Sequence, residues 1–300
     1  MPTNDSQVPS FLCHLVDDAA VFPPGSAPLD EALRAHLEHR AASYGDLLGP
    51  LVVRDADLSR LEDLVPAAAP GEALRVAVVV SGGAGAVEPA VTWAARGEHL
   101  DLVAVEVAVR ESDAGDLAPN ARRIVTAVDS LISGGLLDED VAVYVEPPRL
   151  RGAQPSASWL AALDEVAATD HRLKLRTGGL DPDAVPTADE LATCIGAALD
   201  RELAFKCTAG LHRAVRHHDA HTGVDQHGFL NVLLATRASL DGAGPADVAT
   251  VLEERDRAAV TGSVSPDALT SARRWFTSFG SCSVADPVQD LTSLGLLETP

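Results

Sequence analysis

The sequence predicts an α/β fold, a (β/α)8 barrel, on three observations. Short β-branched runs alternate with longer Ala-, Leu- and Glu-rich stretches, the pattern of repeated βα units. Runs three to seven are nearly continuous Val, Ala and Leu without polar alternation, so both faces of that sheet are expected to be covered. Eight such runs occur, and 300 residues with 46% apolar content supply one large core, so residues 1–300 are expected to form a single barrel domain.

The first strand is placed near "CHLVDDAAVF", where Asp17 and Asp18 follow an apolar run and precede Pro-Pro. A turn or cap role is the favoured reading of that pair, and a reach into the barrel mouth is the alternative. "GPLVVR", "LRVAVVVSGG" and "LDLVAVEVAV" are the second to fourth strands. "VAVYVEPP", "RLKLRTGG", "LAFKCTAG" and "FTSFGSCS" complete the set. Helices are predicted in "PLDEALRAHLEHRAASYG", "VEPAVTWAARG", "NARRIVTAVDSLI", "SWLAALDEVAA", "TADELATCIGAALD" and "HGFLNVLLATRASL". Their starts carry Pro, Asp, Thr or Asn, and several end at Gly. "VPAAAP" near residue 66 is read as a loop. The stretch from His212 to Thr277 is long enough for an expanded loop with more than one helix between strands seven and eight.

A net charge of -21 repels phosphate backbones and anionic lipid surfaces, so no nucleic acid and no membrane partner is expected. Cys13, Cys194, Cys207 and Cys282 show no C-x-x-C spacing, and the polar start "MPTNDSQVPS" does not read as a secretory leader. No apolar run approaches the ~20 residues that span a bilayer. The expected setting is a reducing cytoplasm. Oligomeric state is left open, with a homo-oligomer allowed.

Two lysines carry the functional reading. Lys174 in "RLKLRTGG" and Lys206 in "LAFKCTAG" each end a short apolar run ahead of a Thr and Gly turn, where a buried amine is costly unless it is paired or put to use. Thirty-two positions separate them, one strand, helix and strand, which puts their amines close together on neighbouring strands. A nearby cation and partial burial both disfavour the ammonium form and would make such an amine nucleophilic.

Residues at the carboxyl ends of barrel strands face a common pocket, the usual place for chemistry in this architecture. Glu106 and Glu146 stand there as candidate acid and base groups. Arg176, Thr177, Thr208, Ser281 and Ser283 join them, with Lys174 and Arg176 sharing one face and Lys206 and Thr208 another. The loop Gly280-Ser281-Cys282-Ser283, followed by a helix start, is suited to an anion. The segment after strand seven gathers His212, His217, His218, Asp219, His221 and His227, and His212 and His227 are candidate substrate contacts. A plain structural alternative pairs Lys174 with Glu146 and Lys206 with Glu106 as barrel-interior ion pairs, which are costly to bury.

The motif order "VEVAV", "VYVEPP", "KLRTGG", "FKCTAG", "FGSCS", over roughly residues 100 to 285, resembles the second half of the deoxyribose-phosphate aldolase barrel, a class I (Schiff-base) aldolase fold. The resemblance implies that Lys174 forms the imine and that Lys206 lowers its pKa. It also implies that Thr177, Gly178, Gly210, Gly280 and Ser283 fill turn and phosphate-binding positions, and that no cofactor is used. Departures are Arg176 in place of Ser, Ala209 in place of the first Gly of a pair, His212 in place of Arg, and Cys282 in place of a Ser; they argue against a 5-phosphorylated deoxysugar. The strand-four acid is open between Asp101, which matches by local sequence, and Glu106, which lies nearer the strand's carboxyl end. "FKCTAGLHRAVRH … HGFLN" also resembles stretches of bacterial proteins without an assigned activity.

The expected activity is a lyase, aldolase-like, in which a lysine imine with a small anionic carbonyl substrate serves as electron sink for making or breaking a carbon–carbon bond. The alternatives are a metal-dependent hydrolase or lyase using the histidine-rich segment 212–227, although its spacing fits no closed zinc site, and a non-catalytic small-ligand-binding barrel.

Overall fold

The computed structural model describes residues 8–111, 116–220 and 223–298. Its eight barrel strands fall where the apolar runs predict them: β1 (Val16–Asp18), β2 (Leu48–Arg54), β3 (Leu74–Val80), β4 (Leu100–Ala108), β5 (Ala142–Glu146), β6 (Arg172–Arg176) and β7 (Phe205–Thr208), with β10 (Phe276–Ser281) as the eighth. All pair in parallel, and β1 closes on both β2 and β10. Closure leaves no exposed sheet edge in the barrel. The outer faces meet the helical ring, which buries Leu51, Val53, Val76, Val105, Val143 and Leu173 among others.

The crossover helices follow from apolar stripes and local caps. They are α1 (Leu29–Ala41), α2 (Leu58–Ala68), α3 (Ala84–Arg96), α4 (Ala118–Ser133), α5 (Ala157–Ala167) and α6 (Ala188–Leu199). In α4, Ala121, Ile124, Val128 and Leu131 recur at three- and four-residue spacing and are buried. Helix α6 starts at a capping box, in which the Thr187 side chain accepts from Glu190 N and the Glu190 side chain accepts from Thr187 N. Among the described residues, no helix is long and apolar enough to cross a membrane.

Two expectations need correction. "VPAAAP" is not wholly loop, because α2 runs through Pro66 to Ala68. Pro66 forgoes the bond that an N–H would make to the carbonyl four residues back, and the buried stripe Leu58, Leu61 and Val65 holds the helix against the barrel. The segment between strands seven and eight does expand, but it opens with an antiparallel hairpin, β8 (His217–Asp219) with β9 (Val224–Gln226). Then come α7 (Phe229–Leu240), α8 (Pro245–Glu253), α9 (Arg257–Gly262) and α10 (Pro266–Ala272), and α11 (Ala285–Ser293) follows the last strand.

Inside the barrel, Val52, Ala77, Ala104 and Tyr144 form a separate small cluster, a sparse filling beside the bulky branched layers usual for this fold. The ends of β6 and β7 are drawn together at Gly178 and Gly210. A Cβ on Gly178 would lie 2.7 Å from Gly210 Cα, and one on Gly210, whose φ is +77°, would lie 2.9 Å from the Thr177 carbonyl oxygen. Gly210→Ala is therefore expected to cost about 2–3 kcal/mol from strain and overlap together. Gly71→Ala, at φ +83° with open space around it, should cost only about 1 kcal/mol. Denaturant unfolding of the two variants checks the difference.

Candidate active site

Lys174 and Lys206 are the two lysines of the chain; every other fixed cation is arginine. Both lie inside the barrel, 5% and 1% exposed, and they stand opposite each other in the β6–β7 register. An arginine at either place would be permanently charged and unable to act as a nucleophilic amine.

The two amines are threaded on a chain of carboxylates. Lys206 Nζ lies 2.5 Å from Asp17 Oδ2 and 2.5 Å from Glu106 Oε1. The other oxygen of Glu106 lies 2.7 Å from Lys174 Nζ, which also reaches Glu146 Oε2 at 3.1 Å. Glu146 Oε1 then accepts from Arg176 Nε at 2.9 Å, and the Arg176 side chain is exposed at the carboxyl-end mouth. Three acids and three cations thus alternate from the barrel's middle to its surface. Ser278 donates to Asp17 Oδ2 at 2.8 Å, and Lys206 Nζ sits 5.2 Å from the centre of the Tyr144 ring. Asp17 fits beneath β2 because residue 49 is glycine: a Cβ there would lie 2.0 Å from Asp17 Oδ1.

Both ion pairs of the plain structural alternative are present, but Glu106 fuses them into one unit. Burial works against every charge in it. For Lys174, burial is outweighed by Glu106 and Glu146, which hold its pKa above the ordinary value, while Lys206 lowers it more weakly. Lys206 is likewise shifted up, because Asp17 and Glu106 outweigh burial. Burial alone would raise Glu106, yet the two lysines hold it at about 2. The expectation that Lys206 keeps Lys174 neutral is therefore corrected: its influence has the expected sign, but the carboxylates win and the resting amine is an ammonium.

The other predicted residues divide. Of the two strand-four candidates Glu106 is the one that meets the lysines, whereas Asp101 lies at the far end of β4, half-exposed, 4.0 Å from Arg75. Thr177 is buried with its hydroxyl donating to Ala209 O at 2.6 Å, so it ties the β6 and β7 ends together. Thr208 and Gly280 pair across β7 and β10. Ser281 donates to Ser283 O at 2.7 Å, and the Ser283 hydroxyl accepts from Asp286 N at the start of α11, which leaves its own proton to donate. His212 stands 3.9 Å from Cys282 Sγ, with its pKa lowered by burial.

His227 is not a mouth residue: it is fully buried between Pro186 O, at 2.8 Å, and Arg216. His217 and His218 lie on β8, and His221 falls outside the described residues. Among the described residues no three His, Cys, Asp or Glu side chains converge as ligands for a metal. Arg273 turns from the mouth to the opposite end, donating to Phe11 O and Cys13 O, and burial lowers its pKa to about 10.

The residue that sequence reasoning set aside is Asp17. Strand alternation sends it into the barrel, whereas Asp18 points outward to His36 Nδ1 at 3.1 Å. The available signal was a doubled acid at the end of a buried strand, one of which has to face inward.

Glu106 supplies a pH test. Its pKa falls on folding from an ordinary 4.5 to about 2, so its ionised form contributes stability that is present above pH 4.5 and lost as pH falls through 2. Glu106→Gln should cost about 3–5 kcal/mol at neutral pH by leaving buried charge unmatched. It should also flatten the stability profile through that acid window, as read by denaturant unfolding at stepped pH.

No known family model matches the chain, and no curated protein matches it. Among solved structures the chain is similar to a deoxyribose phosphate aldolase from Aeropyrum pernix, described as having a unique tetrameric structure. The TM-score is 0.52 at 11% identity, covering 98% of this chain and 100% of that one. The likeness shows the fold, a closed barrel of eight parallel strands.

Proposed function

We propose that the chain is an aldolase-like lyase that forms an imine between Lys174 and a small, anionic carbonyl compound. The observation that carries this reading is the chain's whole complement of lysine, two residues, placed in one buried carboxylate network. Lys174 is favoured as nucleophile over Lys206 because it shares Glu146 with Arg176, which is exposed at the mouth, while Lys206 is held by two shorter contacts, 2.5 Å each to Asp17 and Glu106. The aldolase-like fold supports the same assignment.

The chemistry begins with loss of a proton from the Lys174 ammonium to Glu106 or Glu146. The neutral amine adds to the carbonyl carbon, giving a carbinolamine. Protonation of its hydroxyl by Glu146, with the proton taken from Lys174 or, when that proton leaves through Glu106, with one drawn from solvent at the mouth, expels water and leaves an iminium. That cation accepts the electron pair released when the adjacent carbon–carbon bond breaks, and a base takes the proton from the departing carbonyl's hydroxyl. The base returns that proton to the carbon of the resulting enamine, which restores the iminium, and its hydrolysis returns the amine. Arg176 is assigned the substrate's anionic group, because its guanidinium is exposed at the mouth beside Glu146. Metal-dependent chemistry through segment 212–227 has less support, since its described histidines disperse. Self-association is included on the strength of the tetrameric neighbour alone.

Borohydride reduction in the presence of small aldehydes, ketones and keto acids tests the proposal, and the presence of only two lysines makes peptide mapping unambiguous. An adduct on Lys174 that disappears in Lys174→Ala is expected. Its rate of formation should rise with pH from neutral toward alkaline, because the reactive amine is the minor form of a group whose pKa is raised. Adducts on Lys206 alone would reverse the assignment, and no adduct on either lysine would end it.

A further inference from the structure

A wide cavity lies away from the carboxyl-end mouth. It measures about 880 Å3 and opens at the opposite end, among the first residues of β2 to β6 and β10. This is space for on the order of thirty waters. Its floor is formed by Lys206, Asp17 and Ser278, the inner end of the charge network. Small residues keep it open: Gly49, Ala104 and Ala142 line it where a barrel is ordinarily filled. Its lining sets Asp101, Asp138, Glu139 and Asp140 against Arg75 and Arg172, so acids outnumber arginines and disfavour the entry of anions. The carboxyl-end mouth differs, since Arg176 is exposed there and Arg54 lies over the Phe22 ring at 4.8 Å.

We propose that the amino-end cavity is a water-filled proton port, through which the Lys174 ammonium discharges its proton by way of Glu106, Lys206 and Asp17. The Lys206 ammonium passes a proton to Asp17, and Asp17 passes it to cavity water. The neutral Lys206 amine recovers a proton from Lys174 through Glu106. In sum, Lys174 goes from ammonium to amine and one hydronium appears in the cavity; no other bond changes. The three transfers between side chains follow contacts of 2.5 Å, 2.5 Å and 2.7 Å, and Asp17 lines the cavity that receives the proton. Substrate and proton thereby use opposite ends of the barrel. The proton route rests on the imine reading, whereas the openness of the port does not.

Thiol labelling and imine trapping separate the two. With Ser278→Cys, a trimethylammonium methanethiosulfonate should modify the introduced thiol at least tenfold faster than the sulfonate analogue, judged by peptide mass against the native cysteines. Adding Ala142→Trp, or Ala142→Leu if the larger residue impairs folding, should slow that labelling at least tenfold. In the otherwise native chain the same plug should slow borohydride trapping on Lys174 at least fivefold. An unreactive introduced thiol would show that the port is closed and overturn the proposal. Labelling blocked by the plug with an unchanged trapping rate would show that the proton leaves elsewhere. Normal labelling with no adduct on Lys174 in the native chain would refute the imine reading and, with it, the proton route.

Discussion

The structure is organised around one constraint: two ammonium groups are almost wholly buried inside a barrel. An isolated charge there costs several kcal/mol or more, and a single ion pair seldom recovers it. Here the cost is met by alternation, since each ammonium lies between two carboxylates and Glu106 serves both. The alternation fixes much else. Asp17 must project inward from a three-residue strand, position 49 must be glycine, and the small side chains Ala77 and Ala104 leave the interior roomy enough for polar groups. A core filled with branched residues would be more stable and chemically inert.

The same constraint sets the resting state of the site. Surrounded by carboxylates, Lys174 is poised as an ammonium rather than as a free amine, so reaction has to begin with a proton moving along the network. The two ends of that network open to different surroundings: Arg176 faces the carboxyl-end mouth, and Lys206 and Asp17 face the wide amino-end cavity. An anionic carbonyl compound and a proton are thereby given separate approaches to one amine. Thr177, Gly178 and Gly210 serve this arrangement indirectly, by pinning together the strand ends that carry the lysines.

All eight barrel strands were legible in the sequence, because a strand covered on both faces leaves a continuous apolar run that loops and helices do not imitate. Lys174, Lys206, Glu106 and Glu146 were legible for the same reason, each standing as a charge inside such a run. Asp17 was less so, because its strand is three residues long and a doubled aspartate before Pro-Pro also suits a turn. The hairpin at His217–Asp219 was hidden by polar composition, and α2 by a proline in its last turn. The protonation state of Lys174 could not be read from spacing. The neighbouring amine was evident from the sequence, but the carboxylates that outweigh it come from β4 and β5, and only their distances decide the sign. The scarcity of lysine was present throughout and is the plainest clue to its use.

Coupling across the network is what distinguishes one catalytic unit from a set of separate ion pairs. The most direct measurement is the titration of Lys174 by NMR, with lysine labelled with 13C at Cε, in the native chain and in Asp17→Asn. Asp17 does not pair with Lys174; it holds Lys206. Removing its charge should leave Lys206 leaning on Glu106 alone and move the Lys174 titration to lower pH. An unchanged Lys174 titration would mean that the two pairs are independent and that the charges inside the barrel serve structure alone.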